Sequence, residues 1–120
     1  MDLEQDIYND LANAVGERNI STDPVITVNY AYSFGSEILC ERFGIEKSHF
    51  TYTPLAVILP ENTEEVQKVV RIIHENGLKF KAQSTGLGPW NNVASEDVII
   101  FDLRRMDTIR KIDAKNLYCV

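Results

Sequence analysis

Ser84-Thr85-Gly86-Leu87-Gly88-Pro89-Trp90 gathers two hydroxyls, two glycines and an indole into one short stretch. The chemistry this set permits is anion binding. Gly86 and Gly88 let backbone N–H groups approach a phosphate that larger side chains would hold off, and Ser84 and Thr85 add hydroxyl donors. No Lys follows in the P-loop arrangement, and a Gly-x-Gly backed by Pro89 is not the dinucleotide fingerprint that opens a helix. On local chemistry alone, a phosphate cradle competes with a connection that merely turns.

The other chemically capable side chains are scattered. His49, between Ser48 and Phe50, reads as a surface or half-buried histidine before it reads as a catalytic one. His74 stands beside Glu75 on a helix, where a solvated face is the ordinary outcome. Asp102 ends an apolar run and could meet a ligand, yet with Arg104 or Arg105 it also fits a structural pair. Trp90 could stack on a ring system, although a lone aromatic more often serves packing. Tyr30, Tyr32, Phe34 and Tyr52 suit cover for the core or an interface. The sequence shows no nucleophile–base pair and no metal-ligating cluster.

Two apolar runs around a helix would place the loop at a strand end. Ala56-Val57-Ile58-Leu59 is continuous and largely aliphatic, as in a strand covered on both faces, and Pro60 ends it. Asn62 and Glu65 have capping-box spacing, while Glu64 and Glu65 put negative charge at the helix's positive end. Val66, Val69, Val70 and Ile73 line one face, Lys68 and Arg71 lie outside, and Asn76-Gly77 stops the helix. Leu78 to Ala82 is the next strand. The expectation is a β-α-β unit with parallel strands and a right-handed crossover, with ligands at the carboxyl ends of the strands. Val98 to Leu103 forms a third apolar run. Thr108 to Ile112 and Asn116 to Val120 read as an antiparallel hairpin across Asp113-Ala114-Lys115-Asn116.

Upstream, Leu3, Ile7, Leu11 and Ala14 or Val15 recur at helical spacing, and Gly16 can close that helix in the left-handed conformation. Its polar residues would face water, as in an arm or lid packed on the body. Asp23 before Pro24 marks another helix start. Val25 to Val28 is β-branched and could equally be extended; a short helical turn is preferred. An aromatic connector and a turn or two of helix over Ser36 to Phe43 follow. Residues 1–52 thus form an N-terminal helical arm and connector, and 53–120 a subdomain. Its last strand runs into the end of the chain, as in a truncated chain or an incomplete half.

The 120 residues make one domain or a subdomain, and 44% hydrophobic with 25% charged residues is ordinary for a soluble globular protein. A net charge of −6 argues against non-specific nucleic-acid binding, which needs clustered Lys and Arg. Cys40 and Cys119 lie far apart and form neither a zinc knuckle nor a disulfide framework; both read as buried or half-buried free thiols. No apolar run approaches the roughly 20 residues of a membrane span. The acidic start, Met1 to Asp6, has the wrong sign for a secretory or organellar signal, which makes the cytoplasm the default location.

From Pro54 onward the chain resembles a known family. Pro54-Leu55-Ala56-Val57-Ile58-Leu59-Pro60, then Thr63 to Val70, is similar to the opening of the FAD-binding (PCMH-type) domain of the vanillyl-alcohol oxidase and p-cresol methylhydroxylase superfamily. Those proteins read P-x-A-V-V-x-P-x-x-x-E-E-V, then a helix, a bend and a strand; Asn76-Gly77-Leu78-Lys79-Phe80 takes the bend's place. The loop is most similar to that of the glycolate oxidase and D-lactate dehydrogenase branch, R-G-x-G-T-G-L-S-G-G. Lys81 to Trp90 lies on it without a gap, anchored by Thr85-Gly86-Leu87, with Ala82, Ser84, Pro89 and Trp90 in place of glycines. The pattern D-L-x-R-M-x-x-I is matched by Asp102 to Ile109, and Ile112 to Val120 resembles the hairpin that follows.

The resemblance implies an α/β (α+β) fold: a helical arm, then the β-α-β unit and β-hairpin of a PCMH-like, type 2 FAD-binding subdomain. It implies an FAD-dependent oxidoreductase acting on a small-molecule substrate, a 2-hydroxy acid or similar alcohol, by hydride transfer to flavin. Backbone groups of Gln83, Ser84, Thr85, Gly86, Leu87 and Gly88, with Trp90 and Asn91, would hold the FAD pyrophosphate. Some relatives attach FAD through a loop histidine; this loop has none, so non-covalent FAD is implied. The partners implied are the downstream FAD and substrate domains of the same flavoprotein. Two alternatives stand: a non-catalytic binding module whose substituted loop no longer holds flavin, and an assembly subunit. In the latter, Tyr30 to Phe34 and the open final strand would pair with a second copy or an electron-accepting subunit.

Overall fold

The computed structural model of the chain describes residues 3–31, 42, 44, 52–86, 93 and 95–120. Helix α1 (Gln5–Val15) and a 3-10 turn (Glu17–Asn19) lead into β1 (Ile20–Ser21) and α2 (Pro24–Ala31). After the connector come β2 (Ala56–Ile58), α3 (Thr63–Glu75), β3 (Lys79–Gln83), β4 (Val98–Asp102) and a 3-10 turn (Leu103–Arg105). Strands β5 (Ile112–Asp113) and β6 (Tyr118–Cys119) close the series. The fold is α/β, as expected.

Four strands form one sheet in the order β1-β2-β4-β3. β2 and β3 are parallel, as the β-α-β reading requires, but β4 lies between them and pairs parallel with both. Side-chain chemistry accounts for that order. Val98-Ile99-Ile100-Phe101-Asp102 is buried at every position, whereas Lys79-Phe80-Lys81-Ala82-Gln83 is exposed or half-buried throughout. A strand bearing two lysines is tolerated at an edge, and the aliphatic strand takes the centre. On the far side, β1 pairs antiparallel with β2. A two-residue strand at Ile20–Ser21 carries too little pattern to be expected from sequence.

One face of the sheet packs on helices. Ala56, Ile58, Ile99 and Phe101 form a core with Leu11 and Val15 of α1, Ile20, and Val69 and Ile73 of α3. Phe80 stacks on Phe101 with centroids 4.7 Å apart. The other face buries Val57, Val98 and Ile100 with Val93, and Tyr30 of α2, Tyr52 and Leu59 pack against them. The arm therefore sends a helix to each face of the sheet.

The helix signals act through identifiable bonds. Asn62 Oδ1 accepts from the Glu65 N–H at 2.9 Å. The return arm of the capping box goes one residue further back than expected, because Glu65 Oε2 accepts from the Glu61 N–H at 2.8 Å. Val69 and Ile73 are buried and Lys68 and Arg71 exposed, as the spacing predicts. Gly16 closes α1 with φ +87 and ψ 138, a positive φ outside the left-handed helical well. Asp23 Oδ1 accepts from the Val25 N–H at 2.8 Å, and the cap with Pro24 wins over β-branching. Val25 and Val28 point to solvent on the resulting eight-residue helix, while Thr27 and Ala31 are buried.

The hairpin forms, with shorter strands than the sequence implies, and Cys119, expected to be buried or half-buried, is exposed because β6 pairs with nothing but β5 among the described residues. Asp113 Oδ1 accepts from the Asn116 N–H at 2.9 Å, and Leu117 takes φ +56, so the turn runs on through Leu117. No helix among the described residues is long and apolar enough to cross a membrane.

Candidate functional site

β3 ends at Gln83, and the chain leaves the carboxyl edge of the parallel strands through Ser84, Thr85 and Gly86. Departing loops at that edge leave a crevice where ligands settle. Gly86 has φ +70, and a Cβ built there would lie 2.7 Å from Gln83 Nε2. The turn thus folds back on its own strand end, with the Gln83 amide against the Gly86 Cα, a fit only glycine gives without strain. Ser84 and Thr85 are exposed. Ala82 and Ser84 stand where the resembling loop has glycines, and neither takes a positive φ. Side chains at those two positions add no backbone strain. Leu87, Gly88, Trp90 and Asn91, also expected to line the loop, lie outside the described residues, as do Tyr32, Phe34, Cys40 and His49.

Register sets Gln83 opposite Asp102 on the neighbouring strand. The Asp102 carboxylate is fully buried and has three donors. Oδ2 accepts from the Tyr30 hydroxyl at 2.6 Å and from Arg104 Nη2 at 2.5 Å, and Oδ1 accepts from the Arg104 N–H at 3.0 Å. Arg104 Nη2 also donates to the Tyr30 oxygen at 3.0 Å. Burial works to raise the Asp102 pKa, but the Arg104 and Tyr30 hydrogen bonds and the Arg104 charge outweigh it and hold the carboxyl below its ordinary value. Tyr30 is pushed up to about 12, by burial first and then by its hydrogen bond to Asp102 and that residue's charge. Arg104 is raised by the same carboxylate, through hydrogen bond and charge.

The adjacent arginine does something different. Arg105 Nη1 donates to the Leu59 carbonyl and Nη2 to Glu61 Oε2, both at 2.8 Å. It ties the exit of β4 to the exit of β2, so the ends of all three parallel strands meet in one place. Asp102 with Arg104 or Arg105 reads as a structural pair in sequence, and the partner is Arg104. Tyr30 had no such signal, since its contact spans 72 residues. His74 is exposed on α3, as its position predicts. Lys81, on the same face of β3 as Gln83, is half-buried, and burial lowers its pKa.

A groove of about 1020 Å³ lies at the opposite edge, where Pro54-Leu55 and Glu96-Asp97 lead into β2 and β4, and none of the described loop residues, Gln83 to Gly86, lines it. No group of His, Cys, Asp and Glu among the described residues could hold a metal ion.

A family profile described as an FAD binding domain matches residues 54–120, more than half of the chain and the whole stretch containing β2, α3, β3, the loop and β4. The chain belongs to the FAD-binding domain family. No curated protein sequence matches this FAD-binding domain. Among solved structures it resembles p-cresol methylhydroxylase with substrate bound, at a TM-score of 0.71 and 22% identity over 95% of this chain. It also resembles alkyldihydroxyacetonephosphate synthase, at a TM-score of 0.75 and 16% identity over 92% of this chain. The 4-ethylphenol oxidase of Gulosibacter chungangensis gives 0.71 and 20% over 95%. Identities this low speak for the fold. The domain spans 21% of the length of each of those three chains.

Proposed function

We propose that this chain is part of an FAD-dependent oxidoreductase and that the loop from Gln83 to Asn91 holds the diphosphate of a non-covalently bound FAD. The observation that carries the reading is Gly86: its positive φ and the absence of a Cβ let the backbone turn at the carboxyl end of β3, within the stretch that the family profile covers. N–H groups of Ser84, Thr85 and Gly86 and the two exposed hydroxyls are the donors for phosphate oxygens, with Leu87, Gly88, Trp90 and Asn91 continuing the cradle. Non-covalent attachment is supported by a loop without histidine.

When bound, FAD supplies a flavin that accepts a hydride from the substrate carbon. The substrate we propose is a 2-hydroxy acid or similar alcohol, on the match of Lys81 to Trp90 to the glycolate oxidase loop. A phenol, of the kind named in p-cresol methylhydroxylase and 4-ethylphenol oxidase, is the rival class. Exposed Ile109, Ile112, Leu117 and Val120 around the hairpin support contact with further polypeptide, the downstream FAD and substrate domains. The test is absorption in the flavin bands. A yellow protein, or a colourless one that takes up added FAD, supports the reading; protein that ignores excess FAD removes it.

A further inference from the structure

We propose that Arg104, held by the Asp102 carboxylate and the Tyr30 hydroxyl, donates to a diphosphate oxygen of the dinucleotide cradled by Gln83 to Gly86. This rests on the FAD reading above and extends it to a residue at the unspecified position of D-L-x-R-M, where the family pattern asks for nothing.

Placement is the first ground. Gln83 and Asp102 are register partners on adjacent strands, so the loop and the turn bearing Arg104 leave the same edge about one strand spacing apart, roughly 5 Å. Gln83 and Asp102 share one face of the sheet, because paired positions on adjacent strands point the same way and Asp102 alternates with Val98 and Ile100, where Tyr30 packs.

Geometry is the second ground. Arg104 Nη2 is engaged with Asp102 and Tyr30, which fixes the guanidinium plane. Nε and Nη1 have no partner among the described residues, and the side chain is 62% exposed. A planar fork with outward N–H groups matches phosphate oxygens in a way a lysine would not. Asp102 and Tyr30 are positioning residues, since they act through Arg104. In a chain of net charge −6, a cation anchored beside the cradle also counters the repulsion an anionic ligand would meet.

The test follows FAD and inorganic pyrophosphate binding to the full chain, with the Arg104 Nε–H and Gly86 N–H signals observed by NMR. Both signals should shift together on addition of pyrophosphate. Arg104→Gln should weaken FAD binding roughly tenfold and flatten its salt dependence, with partial recovery in Arg104→Lys. Riboflavin, which lacks phosphate, should bind both variants as it binds the wild type. An Arg104 Nε–H that stays fixed at saturating pyrophosphate while Gly86 moves overturns the inference and leaves the cradle standing. So does an Arg104→Gln chain with wild-type FAD affinity at low and high salt. Wild-type chain that binds neither ligand removes the cofactor reading, and this inference with it. The Nε–H measurement needs no variant, so a poorly folding Arg104→Gln cannot decide the matter.

Discussion

Asp102 keeps its charge where no water reaches it because Tyr30, 72 residues away, and Arg104, two residues on, both donate to its carboxylate. An unpaired charge there would be costly, and the hydrogen bonds make burial tolerable. Each partner carries a pH dependence of its own sign. Tyr30 is raised from 10.0 to about 12, so its contribution to stability is complete below pH 10.0 and is lost as pH rises through the folded value. Spectrophotometric titration should show one of the five tyrosines ionising near pH 12, and Tyr30→Phe should abolish that step. Asp102 lies below 3.8, so its contribution holds above that value and is lost as pH falls through the folded one. Asp102→Asn should cost about 1–3 kcal/mol in urea unfolding at neutral pH, and less as pH falls below 3.8. Gly86 sets the other demand at this scale. Gly86→Ala should cost about 1–2 kcal/mol through its φ of +70 and should weaken FAD binding, whereas Gly86→Asn, which tolerates that conformation, should do less harm. The loop's glycine and hydroxyls were visible in sequence because they are contiguous. Tyr30 was not, because the contact that gives it a role exists only after α2 docks on β4.

The elements were legible wherever a local device acts alone. Asn62 and Glu65 announce the start of α3 because capping bonds join residues three apart, and Asn62→Ala should cost about 1 kcal/mol in urea unfolding. Asp23-Pro24 likewise decided α2 against its β-branched run. The hairpin was legible in kind and wrong in extent: the turn takes Asn116 and Leu117 from the expected second strand, and the first strand begins only at Ile112. Leu117, 90% exposed with φ +56, holds a conformation that suits glycine. Leu117→Gly should relieve about 1 kcal/mol, read as slower exchange of the Val120 N–H, which donates to the Lys111 carbonyl.

At the scale of the whole molecule, sequence order did not reveal that β4 inserts between β2 and β3. That choice is made by comparing strands: the run with no lysine is buried on both faces and takes the middle. Nor did periodicity show that α1 belongs to the central core, although Leu11 is fully buried against the same cluster as Val69 and Phe101. Leu11→Ala should cost about 2–5 kcal/mol of global stability; an effect confined to the first helix would show a separable arm instead. The arrangement converges on one edge, where Arg105 joins the exits of β2 and β4 and the Gln83 to Gly86 turn leaves beside them. The most direct test of the phosphate cradle is the amide spectrum of the chain titrated with FAD. The N–H signals of Gln83, Ser84, Thr85 and Gly86 should move together and saturate, while those on the exposed face of α3, such as His74, stay fixed. Unmoved signals at those four residues under saturating FAD would contradict it.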